Sequence, residues 1–221
     1  YANADPESTL PMFKFTQTWA NTITFTNNTE DPVVFTNNSL GTWATSVVNG
    51  NTMKFVGSGA YSFPQGVTGD KFAVEIGVSN SSTGTAFDGD ITGAGIAVRH
   101  KNGVLNGDVN VGSFSGEVTN SVTKNVPEMT VNGNITATGA ITLKRNTLYT
   151  VNGDVVAGGS LTVQGATIPA GKTVQGKNVC IMNQNNSAGA THIYSDVTAT
   201  NAFLGKAGTV YGKVTADKII A

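Results

Sequence analysis

Four aspartates, Asp70, Asp90, Asp108 and Asp154, each follow a glycine directly in short motifs rich in Asn and Asp. If the motifs occupy equivalent places in the fold, these carboxylates stand in a column, with Asn134 at the same position between the last two. Carboxylates about 5 Å apart repel, so such a column needs solvent, hydrogen bonds or a cation such as Ca²⁺. The plainer use of the same side chains is for each to cap its own turn, and this reading is preferred to a metal site. Ca²⁺ is the one candidate cofactor, and none is required.

Catalysis finds less support. His100 and His192 are the only histidines, and neither has a Cys, His or acidic neighbour at metal-ligand spacing. Nucleophile elbows, phosphate loops and dinucleotide fingerprints are absent. Asp88 and Asp90 with Arg99 and His100 form the densest set that could serve a polysaccharide-cleaving groove, and exposed loop residues account for them more simply. Trp19, Trp43 and Tyr61 could stack on sugars, although aromatic residues of this kind more often serve as core or interface anchors. Cys180 has no second cysteine to pair with, and its apolar surroundings predict a small core residue. The expectation is a non-enzyme.

What must position these residues is a repeat. Val131-Asn132-Gly133-Asn134-Ile135 returns as Val151-Asn152-Gly153-Asp154-Val155, and the likeness continues to Leu143 and Val163. Further copies open at Val48, Phe87 and Leu105, and weaker ones at Val67, Val174, Ile193 and Val210. The steps stay near ~20 residues, and self-similarity at a fixed period of this kind marks a repeat architecture. The one long step, from Leu105 to Val131, contains Asn120 to Pro127, which reads as an inserted loop. Asn and Gly tolerate the positive φ of a tight corner. Hairpin turns would recur roughly every 8–12 residues, so a strong signal at twice that spacing favours one corner per coil. The predicted fold is an all-β parallel solenoid (β-helix) with coils of about 20 residues. An antiparallel β-sandwich, jelly-roll or pilin-like, is the alternative.

Composition agrees. Charged residues make up only 12% of the chain, about half the usual share, and Thr, Asn, Gly, Ser and Val take their place. That mixture suits strands and turns rather than helices. A net charge of −1, with Arg99 and Arg145 the only arginines, gives no footing for nucleic acid. No apolar run reaches the ~20 residues of a membrane span. Sequons begin at Asn27, Asn37, Asn80, Asn134 and Asn185; with a first residue of Tyr1, explained by processing or by trimming, they point to an extracellular or cell-surface location.

Three regions are expected: residues 1–22 as an N-terminal arm or capping strand, 23–86 as aromatic-rich first coils or a small β subdomain, and 87–221 as regular coils. Phe13, Phe15 and Trp19 of the arm would contact a neighbouring subunit if they do not cover the first coil. The other end stays apolar and strand-like through Val210, Val214, Ile219 and Ile220. An uncovered solenoid end is a template for another chain, and a head-to-tail contact that does not close gives an open filament.

Residues 131–163 resemble coils of bactofilins and of haemagglutinin- and autotransporter-type β-helix adhesins, which carry a recurring Val/Ile-x-Gly-Asp/Asn-Val/Ile corner. The likeness covers about residues 87–216. It implies a stacking structural protein: bactofilins polymerise end to end through their terminal coils, whereas the leader and the aromatic first third suit a secreted surface protein better. The expected function is a self-assembling extracellular subunit of a filament, sheath or surface fibre, with itself as partner. The alternative is a polysaccharide-binding or -cleaving β-helix of tailspike type, or an adhesin, with surface glycans as partner.

Overall fold

The structure, a computed structural model, describes residues 12–13, 19–26, 33–36, 43–49, 52–56, 60–63, 66–69, 73–77, 84–117, 129–183 and 190–221. Among them every regular element is a strand, and every strand pair is parallel, with one isolated antiparallel bridge between Met182 and Ala207. The chain is a β-solenoid with turns of about 20 residues.

Three inner columns run through the stacked coils. One comprises Val67, Ile91, Val109, Ile135, Val155, Val174, Val197 and Val214, each paired with the next. A second joins Val98, Phe114, Ile141, Leu161, Val179, Phe203 and Ile219. The third begins Tyr61, Phe87, Leu105, Val131, Val151 and resumes with Ile168, Ile193 and Val210. β-Branched and aliphatic residues at these places fill the coil interior while their neighbours point out, the two-residue alternation of any strand. From Val67 to Val197 the first column is at most 1% exposed, and each such side chain contributes about 1.5–3 kcal/mol by leaving water.

The interior changes character along the axis. Phe55 packs edge-on against Tyr61, Phe63 and Phe87 with ring centroids 5.0–5.4 Å apart, and aliphatic side chains then take over. Polar side chains are buried among the described residues as well, His100 and Tyr149 as a pair. Gly116 pairs with His100 and Leu143 but has no side chain. The Tyr149 ring fills that space, and its hydroxyl lies 2.9 Å from the buried Nδ1 of His100.

The register locates the long step of the repeat. Leu105 pairs with Val131 although 26 positions separate them, so the excess falls between Glu117 and Met129; the predicted loop itself lies outside the described residues. Toward the N-terminus, Met12–Phe13 pairs with Val33–Thr36, and Trp19–Thr26 pairs with Trp43–Asn49, so both strands join the chain's own following coil. Val67 and Ala73 pair in turn with Ile91 and Ala97, and the ladder runs unbroken from the aromatic third into the regular coils.

Candidate functional site

The Asn-Gly-Asp motif forms the corner that leads from the third column into the first, as in Leu105-Asn106-Gly107-Asp108-Val109. Copies at Phe87, Leu105, Val131, Val151, Ile193 and Val210 share this phase. Those at Val67 and Val174 do not: both residues already belong to the first column, and the corner of the latter coil is Pro169 to Thr173. Val48 likewise lies within the strand Trp43–Asn49, beside Ser46, which pairs with Val67. Asp70 lies outside the described residues, and because Val67 pairs with Ile91, Gly66 rather than Asp70 takes the place beside Asp90.

Asp90, Asp108, Asn134 and Asp154 do stack, and their side chains cap the coil that follows rather than their own turn. Asp90 Oδ1 accepts the Asp108 N–H at 2.8 Å, Asp108 Oδ1 that of Asn134 at 2.7 Å, and Asn134 Oδ1 that of Asp154 at 2.8 Å. Asp154 Oδ1 accepts the Thr173 N–H at 2.8 Å, and Asp196 Oδ1 that of Lys213 at 2.7 Å. A second ladder runs beside it. Asn152 Nδ2 donates to Asn132 Oδ1 at 2.8 Å, Asn132 Nδ2 to Asn106 Oδ1 at 2.6 Å, and Asn106 Nδ2 to Asp88 Oδ1. Each bond satisfies a polar group at the coil edge and contributes about 0.5–1.5 kcal/mol, somewhat more where a carboxylate accepts. The neutral Asn134 separates Asp108 from Asp154, which reduces like-charge repulsion along the column. Among the described residues no three His, Cys, Asp or Glu side chains come together as a metal site.

The motif glycine is required by crowding. A Cβ at Gly107 would be driven onto the Gly89 carbonyl, one at Gly133 onto that of Gly107, and one at Gly153 onto that of Gly133. Of the motif glycines Gly89, Gly107, Gly133, Gly153 and Gly212 only Gly89 has a left-handed backbone, with φ at 139°. Left-handed tolerance, the reason expected from the sequence, therefore does not explain the others; closely stacked corners do.

The proposed catalytic set does not gather around one cleft. Asp88 bonds Asn106 at the corner, while Arg99 reaches Glu75 Oε1 at 2.7 Å on another part of the coil and Lys101 reaches Glu75 Oε2 at 3.0 Å. His100 is buried beside Tyr149. Tyr61 is likewise fully buried and cannot face a sugar. Trp19 pairs with Trp43 through the backbone, and Phe15 lies outside the described residues. Cys180 faces outward between the buried Val179 and Ile181, half-buried rather than in the core. Burial raises its thiol pKa, opposed by the positive charge of Lys206, so the reactive thiolate is disfavoured at neutral pH.

The C-terminal coils look different. Tyr194 and Tyr211 replace Asn in the corner, and their rings stack at 4.5 Å and 4°. His192 lies 6.0–6.2 Å from both, with its Nδ1 3.3 Å from the Tyr211 hydroxyl. Sequence reasoning passed over this cluster, although Tyr at the second position of two successive motif copies was the available signal. Val210 and Val214 are partly buried against the core, whereas Ile219 and Ile220 are 55% and 48% exposed. Their exposure has two causes. Ile219 continues the inner Phe203 column into the edge strand Val214–Ile220, and Ile220 continues the outward column of Cys180 and Leu204.

No helix among the described residues is long and apolar enough to cross a membrane. Comparison with known protein families, with characterised proteins and with solved structures finds no match to this chain.

Proposed function

We propose that this chain is a non-enzymatic structural subunit that self-assembles outside the cell, at the cell surface or in a filament, sheath or fibre, by stacking solenoid coils end to end. The observation that carries this reading is the stacking itself: among the described residues every named strand pair is parallel, and three apolar inner columns continue from coil to coil. A further coil from a second copy would extend the same parallel ladder and cover side chains such as Ile219, which stands in an interior column. Such a joint would use what already joins the coils, apolar columns inside and side chain-to-backbone caps at most of the described corners. The resemblance to bactofilin and adhesin coils supports the same reading. Negative-stain microscopy of the purified chain at micromolar concentration tests it: filaments of uniform width are expected, and discrete monomers under all conditions would contradict it.

A second reading, glycan binding, is favoured by the half-exposed Tyr194 and Tyr211 stack with His192 at its edge. Aromatic faces flanked by polar groups suit sugar rings. Binding on a glycan array that disappears in Tyr194→Ala and Tyr211→Ala would support it, and absence of binding would remove it.

A further inference from the structure

Asn-Gly sequences occur at Asn49, Asn102, Asn106, Asn132 and Asn152. An asparagine followed by glycine is open to attack by its own backbone, because glycine puts no Cβ in the way. The glycine nitrogen closes on Cγ and the Cγ–Nδ2 bond breaks. The amide leaves as ammonia, taking the proton of the attacking nitrogen. Water then opens the cyclic imide at either carbonyl, giving aspartate or the isomer whose backbone runs through Cγ. Nothing is oxidised or reduced, and water is the one co-reactant.

The stacked coils decide how freely each site can follow that course. Gly50 lies outside the described residues, and Asn102 is fully buried. Asn106, Asn132 and Asn152 are exposed at equivalent corners, so what holds each side chain sets them apart. Asn132 donates through Nδ2 and accepts at Oδ1, and Asn106 does the same, down to the carboxylate of Asp88. Asn152 donates to Asn132 at 2.8 Å, but among the described residues nothing donates to its Oδ1. The cause lies in the next coil. Thr150 pairs with Thr167, which puts Pro169 at the ladder position beside Asn152, and proline has neither a side-chain donor nor a backbone N–H.

We propose that the ladder is a deamidation site with a fixed order, in which Asn152 reacts first. To turn its Cγ toward the Gly153 nitrogen, Asn152 gives up one ladder bond, whereas Asn132 and Asn106 each give up two. The product side chain has no N–H, so the bond to Asn132 Oδ1 is lost. Asn132 is then held at one end only and becomes the next to react. Asp88 closes the far end, being a carboxylate already. The isomerised product also lengthens the backbone beside Gly153, where an added Cβ would already meet the Gly133 carbonyl.

Peptide mapping by mass spectrometry, sampled while the folded chain is incubated at mildly alkaline pH, tests the order. Asn152 should convert roughly fivefold faster than Asn132 or Asn106, the factor that one hydrogen bond of ordinary strength is worth. Conversion at Asn132 should follow after a lag. In concentrated urea the three rates should converge. Equal rates in the folded chain, or a lead for Asn106 or Asn132, would overturn the proposal. So would a lead for Asn152 that persists in urea, since it would then belong to the local sequence. The variant Asn132→Ala removes the acceptor of Asn152 and the donor to Asn106, and should speed conversion at both; an unchanged rate at either would count against the ladder. Should that variant unfold, the native and urea-unfolded rates of the wild-type chain decide.

Discussion

The coils from Phe87 to Val174 and those from Ile193 to Ile220 share one backbone register, yet their corners use different chemistry. In the first set Asn and Asp side chains bond from coil to coil, and every inner column is sealed on both sides. In the second set tyrosines stack where asparagines donated, Lys213 follows Asp196 in the column where an Asx followed in earlier coils, and apolar side chains meet solvent. The backbone of a solenoid coil therefore does not dictate how its edge is finished. The first set is finished by polar ladders, and the second by stacked rings.

Substitutions can break or sharpen this contrast. The largest effect is expected for Gly107→Val in a sealed corner, where the new side chain meets backbone of the preceding coil and cannot swing away. A loss of about 4 kcal/mol or more is expected, read as a collapse of the thermal transition. Gly171→Ala, at a corner where nothing lies within 4 Å of the added Cβ but φ is +76°, should cost only about 1 kcal/mol. Next come the inner columns. Ile135→Ala, at 0% exposure, should cost about 2–5 kcal/mol in urea unfolding, whereas Ile219→Ala, at 55% exposure, should stay within about 0.5 kcal/mol for the monomer. Equal losses at the two sites would erase the distinction between the two sets of coils.

A smaller change is expected for Asp108→Ala, which removes the acceptor of the Asn134 N–H and should cost about 1–2 kcal/mol. Asp108→Asn should be nearly neutral, because Asn134 performs the same role in the next coil. The smallest effect is kinetic. With its pKa raised by burial, Cys180 should alkylate more slowly at neutral pH than an exposed cysteine and accelerate as pH rises through the thiol's titration. Removing Lys206, whose charge lowers that pKa, should slow the reaction further.

The parallel solenoid was legible because Asn-Gly-Asp recurs at a spacing too long for hairpins, and the register of Leu105, Val131 and Val151 matches it. The phase of every copy was not. An apolar residue followed two positions later by glycine occurs both at the motif corner and within the next face, so Val67 and Val174 were read one face too early. Which turn an Asx side chain caps was also hidden, since a bond to its own turn and a bond to the next coil leave the same residues at the same spacing. Cys180 could have been placed outward from the buried alternation of Val179 and Ile181. The Glu75 pairing with Arg99 and Lys101 could not, because a gap of 24 to 26 residues becomes a contact only once coils are stacked.

Diffraction from aligned assemblies of the purified chain tests the stacking claim most directly. A reflection at about 4.8 Å on the meridian, along the fibre axis, is predicted if coils of successive copies continue one parallel ladder. That reflection lying on the equator, or no ordered fibre forming at any concentration, would contradict end-to-end coil stacking.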